Sequence, residues 1–482
     1  MKKIIPAPVL LVWALVALFI ALVQNNFFFW DTVQLASKHA HHFYNNGLAF
    51  TLLPGDIDSG HPPTLGYLLA LCWTFFGKTL PVGHWLMFPF IALMFLHLYR
   101  IGLALSDKQH AWLLFLPVLA DPVLLGQMSL VSPDVLLLCG FLMALDGRLN
   151  QRLALQILGY ILLAAISMRG MMTAAALALA PLGLAPLPYY KNLINSVLQK
   201  NHRTVLPLLA VVPGAVLAFG YLYWHQRQSG WTGFHPDSPW APAFAWGGWS
   251  GMLKNCAVLG WRLLDFNRLF EFLLVAILIR KFWLSKIKLY YSNIFFLLIF
   301  LAILLFPSAL WYKNLSAHRY FLPFMVGLHC YTFQLLMQTD WSVQRKKWVS
   351  VVLSVLLLLG NLQIYPRGIS MDWDATLAHL PYYALRTQAV RDLDAMGIDF
   401  GSTGSAFPNL SVNEMIVLNG DMRQFAPFDF EKNKWVMVSN VYNDVQESDY
   451  KVLAQQWQER RRYERCGVWI ILYERPAAPP IQ

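Results

Sequence analysis

Two aspartates, a histidine and two arginines stand out along this chain, each at a point where an apolar stretch meets a polar one. Asp31 follows the aromatic run Phe27-Phe28-Phe29-Trp30, and His61 lies in Gly60-His61-Pro62-Pro63. Asp134 follows Ser132-Pro133 at the start of an apolar stretch. Arg169-Gly170 divides two apolar stretches with almost no loop, and Arg319-Tyr320 opens another. A carboxylate at such a boundary can take a proton from a hydroxyl. A cation there can hold an anion and offset charge that builds on it. Simpler readings stand beside these. Asp134 is equally an N-cap candidate, since Asp accepts bonds from the free amides of a helix start. Arg169 and Arg319 can snorkel to lipid headgroups. Asp121, set before Pro122 in apolar surroundings, is a functional candidate by its depth, or a partner for backbone freed by the proline. Glu271 and His97 read as structural. His39, His41 and His42 lack the i, i+4 pairing of a helical metal site; the ligands of any metal are unknown, and a divalent cation stays open.

The elements that must carry these residues are set by composition. Of 482 residues, 57% are hydrophobic and only 13% charged, against roughly 25% charged in soluble domains. Most of the surface therefore does not face water. Val9–Val23, Phe295–Leu305 and Val349–Leu359 carry no charge and lie in runs near the ~20 residues of a spanning helix. In lipid every backbone amide must be bonded internally, so such runs are helices. The net charge is +11, and its placement orients the chain. Basic residues cluster at Lys2 and Lys3, at Arg100 and Lys108, at Arg148 and Arg152, at Lys191, Lys200 and Arg203, at Arg280, Lys281, Lys286 and Lys288, and at Arg345, Lys346 and Lys347. Placing all six groups inside gives about eleven spans, roughly 7–23, 82–104, 110–130, 134–147, 152–168, 171–188, 204–224, 261–280, 289–311, 320–338 and 349–365. The basic loops touch anionic membrane lipids and need no nucleic acid. Lys2 and Lys3 before an apolar run resemble a secretory leader, but no small-residue cleavage site follows, so the first span is read as uncleaved.

This threading leaves 24–81, 131–133, 169–170, 225–260, 312–319 and 366–482 outside. It puts Asp31, His61, Asp134, Arg169 and Arg319 at one depth on one face. The short apolar stretch Thr64–Gly77 is read as a helix lying along the outer interface; were it to cross, every later basic loop would change sides. None of Cys72, Cys139, Cys256, Cys330 and Cys466 forms a C-x-x-C pair, so a cysteine-held metal or redox site is not expected. A disulfide between the outer Cys256 and Cys466 is a minor alternative.

Residues 1–365 thus read as a membrane domain and 366–482 as a small α/β domain outside it. Leu377–Met396 has helical periodicity and stops at Gly397, Trp435–Val441 alternates as a strand, Tyr450–Arg465 reads as a helix, and Val468–Tyr473 as a buried strand. No phosphate loop or nucleophile motif occurs there, and a lid over the membrane domain is the expected role.

The order of these motifs resembles the GT-C glycosyltransferases, especially the bacterial aminoarabinose transferases and the relatives of the protein O-mannosyltransferases. The matching residues are Trp30-Asp31, Gly60-His61-Pro62-Pro63 through Phe76-Gly77, Pro133-Asp134-Val135-Leu136, Arg169-Gly170 and Arg319-Tyr320. Thr32 stands where many members have an acid, Gly60-His61-Pro62 where many have Glu-Lys-Pro, and Arg169 where lysine is usual. The resemblance covers roughly residues 7–325 and implies a GT-C-like fold and a transferase using a polyprenyl-phosphate sugar donor. It makes Asp31 the base and Asp134 the positioning carboxylate. His61, Arg169 and Arg319 become the donor phosphate ligands, with Asp121 and Tyr320 as further candidates. The acceptor is a lipid, a polysaccharide or a protein. Two other readings stand beside it. One is a transporter or flippase for a lipid-linked sugar or other anion, for which outer carboxylates and Asp121 would serve coupling or substrate binding; no repeat between the two halves and no pair of broken helices in matching positions favours it. The other is a non-catalytic assembly protein.

Overall fold

The structure, a computed structural model, describes residues 5–180, 209–233, 235, 241–285, 292–313, 315–366 and 369–476. Lys2, Lys3, Lys191, Lys200, Arg203, Lys286, Lys288 and parts of the spans read at 171–188, 204–224 and 289–311 lie outside the described residues. The chain is mostly helical, with one small sheet near its C-terminus. Among the described residues, Leu80–Leu105, Asn293–Trp311 and His318–Met337 are long and apolar enough to cross a membrane. Ala7–Val23, Thr64–Phe76, Leu153–Ile166 and Met168–Leu179 are shorter apolar helices. Length and composition thus mark three crossings, or four with the bent pair below, where the sequence reading has about eleven.

Two spans differ from the sequence reading. The stretch read as one helix over 110–130 is broken at Asp121 and bends by 77° into Pro122–Met128. Pro122 has no amide to continue the upstream helix, so Asp121 leaves the helical region and caps the next helix, accepting from Val123 N and Leu124 N at 3.0 Å each. The stretch read as 261–280 is interrupted as well. A helix over Gly248–Leu264 ends at Asp265, and Leu269–Leu284 starts afresh. Between them Phe266 and Asn267 take positive φ of 51° and 66°, a conformation that no glycine announces in the sequence.

The C-terminal sheet is mixed. Its strands are β1 (Thr403–Ser405), β2 (Ala426–Pro427), β3 (Trp435–Ser439), β4 (Gln458–Arg465) and β5 (Val468–Glu474), in the order β2-β1-β3-β5-β4. β1 runs parallel to β2 and β3, while β5 is antiparallel to both of its neighbours. The helix read over Tyr450–Arg465 is therefore corrected: it covers Glu447–Gln456, and the rest is β4. Cys466 and Gly467, at φ 48° and 78°, make the tight turn to β5, the two-residue link that antiparallel strands favour. β4 is an edge strand with only Tyr463 buried. Its run of Arg and Glu blunts pairing with other chains and hides the alternation that marks a strand. Cys256 and Cys466 are free and exposed. The helix Leu380–Ala395 presses on the start of the chain, with Tyr383 edge-on to Phe27 at 4.7 Å between ring centroids. Burying these large rings, at about 25 cal/mol per Å² of apolar surface, fixes the C-terminal segment against the turn that bears Asp31.

Candidate active site

Asp31 sits behind a constrained turn. The Thr32 hydroxyl donates to Phe29 O at 2.6 Å and accepts from Phe29 N at 2.9 Å. Trp30 is held at φ 57°, a strained position for a bulky residue of the kind that clusters at functional sites. The packing that fixes it comes from Phe407, edge-on at 4.8 Å.

Asp134 lies in the first turn of the Pro133–Leu149 helix. The cap of that helix is Ser132, whose Oγ accepts from Asp134 N at 3.2 Å. The Asp134 carboxylate is thereby free for other work, and it goes to two arginines. Arg169 Nη1 donates to its Oδ1 at 2.8 Å, and Arg319 Nε faces its Oδ2 at 3.6 Å. Arg169 is positioned by a sharp junction between Leu153–Ile166 and Met168–Leu179, capped by the Ser167 hydroxyl, which accepts from Gly170 N at 3.1 Å. Gly170 is needed there, because a Cβ would run into the carbonyl of Leu163.

Arg319 and Tyr320 belong to the 3₁₀ turn His318–Phe321 that opens the Leu322–Met337 helix. The ring of Tyr320 lies under the Arg169 guanidinium, 4.1 Å from its carbon to the ring centroid, a stacked cation–π contact. Arg319 is the centre of the cluster. One terminal nitrogen donates to Asp31 Oδ2 and the other to Asp374 Oδ2. Asp374 is only 3% exposed. Burial pushes its carboxyl up to about 7; Arg319 opposes this, and Asp31, Asp372 and Asp134 add to it.

Asp374 was not among the residues singled out in the sequence. It comes from the short turn Trp373–Ala375, held by the Pro122–Met128 helix. Gln127 Nε2 donates to Asp374 O at 2.8 Å, and Gln127 Oε1 accepts from Ser132 Oγ at 2.5 Å. One buried amide thus ties the Asp374 turn to the cap that frees Asp134. Gly126 allows the approach, since a Cβ there would lie 2.8 Å from the Ala375 carbonyl carbon. Beside it, His318 is clamped between Asp372, at 2.8 Å from Nδ1, and Asp265, at 2.7 Å from Nε2.

The remaining candidates stand elsewhere or in another state. His61 Nδ1 accepts from Met168 N at 3.5 Å, next to Arg169. Burial, and then Arg169, push its imidazole down to about 3, so it is neutral near pH 7 and is not the cation that the resemblance implies. Asp121 is fully buried away from the cluster. It takes two bonds from Arg268, at 2.9 and 2.7 Å, and lies 3.3 Å from His329, which also bonds Glu271. The backbone reading of Asp121 is met by the cap on Val123 and Leu124, and the ion pair with Arg268 comes in addition. Among the described residues no three His, Cys, Asp or Glu side chains are placed to hold a metal ion.

A cavity of about 680 Å³ opens on the cluster, lined by Trp30, Asp31, Arg319 and Tyr320 and also by Lys254, Arg262 and Lys313. Asp31 is the most exposed acid of the cluster at 22%, against 5% for Asp134. Lys254 and Lys313 have no ion-pair partner among the described residues.

No family model and no curated protein matches the chain. In backbone course it is similar to ArnT. That crystal structure, of ArnT from Cupriavidus metallidurans bound to undecaprenyl phosphate, is 11% identical with a TM-score of 0.49, over 96% of this chain and 97% of that one. At that distance no residue's role passes from ArnT to this chain.

Proposed function

We propose that this chain is an integral membrane glycosyltransferase. It moves a sugar from a polyprenyl-phosphate donor to an acceptor at the outer face of the membrane, with inversion. The observation that carries this reading is the meeting of Asp31, Asp134, Arg169 and Arg319, from four separate segments, in one ion-pair cluster whose Asp31 and Arg319 line the cavity. The motif order shared with the GT-C enzymes supports it, and so do apolar helices long enough to cross a membrane.

In this reaction the acceptor oxygen bonds to the anomeric carbon as the bond from that carbon to the phosphate oxygen breaks. The electron pair leaves with polyprenyl phosphate. Asp31, the acid paired with Arg319 that lines the cavity, takes the acceptor proton, a step within the reach of a positioned carboxylate. Charge building on the phosphate is met by preorganised cations. Arg169 is one of them, with Lys254 and Lys313 at the cavity wall. Arg319 already faces three carboxylates and acts through them, setting where Asp31 points. Asp134 holds both arginines in register. In this reading residues 1–365 form the membrane domain, crossing about eleven times, and 366–482 stand outside as a lid.

The test is transfer from an extracted polyprenyl-phosphate sugar pool by the purified full-length protein. Asp31→Asn keeps the shape and removes the base, so transfer falls by ~10²–10⁴-fold while donor binding survives. Full activity in that variant would remove Asp31 from the mechanism. Flux of the lipid-linked sugar across the membrane with no glycosylated product, in wild type and variant alike, would replace the enzyme by a transporter.

A further inference from the structure

The helix Gly248–Leu264 turns three faces to three surroundings. One is buried against protein. It bears Asn255 and Leu259, and Asn255 Nδ2 donates to Leu310 O and Tyr312 O at 3.0 Å each. A second face lines the cavity of about 680 Å³ with Lys254, Val258, Trp261 and Arg262, at the i, i+4, i+7, i+8 spacing of one helical face. The third lies about opposite the cavity and is an exposed apolar stripe. It is made by Trp249, Leu253, Cys256 and Leu264, with Trp249 and Leu253 exposed at 71% and 70%. Lys254 and Trp261 stand at the edge between the last two faces, since both line the cavity and both are exposed. That edge is the rim of the cavity.

The neighbours of the stripe say what covers it. At its start, Trp246 lies 5.8 Å from Trp249 and 5.2 Å from Trp311, ring centroid to ring centroid. Trp311 closes Asn293–Trp311, a helix long and apolar enough to cross a membrane, and Ile299 and Ile303 of that helix are exposed. At its end, beyond Asp265, the helix Leu269–Leu284 exposes Leu269, Phe270, Leu273 and Ile277. The stripe is thus continuous at both ends with apolar surface of the kind that meets lipid. Trp246, Trp249 and Trp311, all exposed, gather at the end of a membrane-length helix, and tryptophan gathers at the membrane–water boundary. Lys254 and Arg262 within 17 residues make a crossing by this helix costly. Cations on one face with Trp and Leu on the other are the pattern of a helix that lies in the boundary. The Lys254 stem covers apolar surface while its ammonium reaches headgroups, where it complements anionic lipid.

We propose that the helix Gly248–Leu264 is a membrane-docking helix, lying in the boundary with its stripe among the acyl chains of the bilayer. A single helix then separates lipid from the cavity that Asp31 lines. The rim at Lys254 and Trp261 stands at headgroup depth, and a lipid-anchored amphiphile reaches the cavity there without leaving the bilayer. That this amphiphile is the sugar donor rests on the transferase reading; the seating of the helix does not.

The stripe carries its own reporter in Cys256, which is free and exposed. A nitroxide is attached there in the full-length protein bearing Cys72→Ser and Cys466→Ser, in nanodiscs of phosphatidylcholine and phosphatidylglycerol. Its collisions with oxygen, which concentrates among acyl chains, are compared with those with a water-soluble nickel chelate. The oxygen-to-nickel ratio rises above that of the free label in buffer, toward that of a label on Ile303→Cys in the same protein with Cys256→Ser. A ratio like that in buffer overturns the proposal. So does protection from both quenchers, which would mean that protein, such as a second copy of the chain, covers the stripe. Leu253→Asp charges the stripe and touches no residue that lines the cavity. It moves the Cys256 ratio toward water and raises KM for a long-chain polyprenyl-phosphate sugar by about threefold or more, while transfer from a short-chain, water-soluble prenyl-phosphate sugar is unchanged. Equal loss with both donors sinks the entry route. Transfer from neither donor by the unaltered protein sinks it together with the transferase reading and leaves the seating of the helix, which the label reads alone.

Discussion

Asp31 and Asp374 hold the two terminal nitrogens of one guanidinium, that of Arg319, although one lies just after the first helix and the other more than three hundred residues on. Their settings differ. Asp31 reaches the cavity, whereas Asp374 is sealed behind Arg319 and keeps its proton up to about pH 7.

That proton gives a pH signature. An unfolded chain releases it near the ordinary carboxylate value of ~4. The folded pKa is raised, so this group's contribution to stability is complete below ~4 and is lost as pH rises through 7. Asp374→Asn cannot ionise and removes that slope. Thermal midpoints of both proteins between pH 4 and 8 measure it. The transfer rate of wild type carries a limb near pH 7 that the Asn variant lacks; the same limb in both would assign it to another group.

Arg169 pairs with Asp134 and stacks on Tyr320. Under the proposed function, Arg169→Ala removes charge that serves the donor phosphate in both ground and transition states. The donor KM rises and kcat falls, each by about tenfold or more. A change in kcat alone, with donor KM untouched, would take Arg169 off the phosphate.

Gln127 is a positioning residue. Gln127→Leu leaves Asp374 O and Ser132 Oγ without their partner, at a cost of about 1–3 kcal/mol. Because the amide aligns two acids of the cluster, the pH limb of transfer shifts as well, and Gln127→Glu, which still accepts from Ser132, restores only half of the link. A loss of melting temperature with an unchanged pH profile would reduce Gln127 to a structural role.

Deep in the bundle, the ion pair of Asp121 and Arg268 has no exposure on either side chain. Asp121→Ala strands the arginine and costs about 3–5 kcal/mol, whereas a joint change of both residues to apolar ones costs much less. Thermal aggregation in detergent ranks the three proteins. Equal damage from the single and the joint change would mean that the cap on Val123 and Leu124 matters more than the charge.

What the sequence made legible follows from range. Asp31, Asp134, Arg169 and Arg319 were visible because each marks an edge of an apolar run, a feature local to a few residues. Asp374 was not. Its importance comes from Arg319 and Gln127, far away along the chain, and Asp372-Trp373-Asp374 looks like an ordinary polar turn. The neutral state of His61 was hidden for the same reason, since burial belongs to the fold. β4 was misread because exposed arginines and glutamates at nearly every position leave no alternation to see. The break at Phe266 and Asn267 has no proline or glycine to announce it.

The turn at Asp372, Trp373 and Asp374 sends three consecutive side chains to three destinations: a clamp on His318, the wall of a second cavity, and the guanidinium of Arg319. It lies beyond the last apolar helix, in the part of the chain an engineer would first cut away to simplify a membrane protein. Truncation after residue 365 would not trim an appendage. It would withdraw one of the three acids around Arg319 and unclamp the histidine before it, so a tail exchanged between relatives must bring this turn in register or leave Arg319 and His318 each short of a partner.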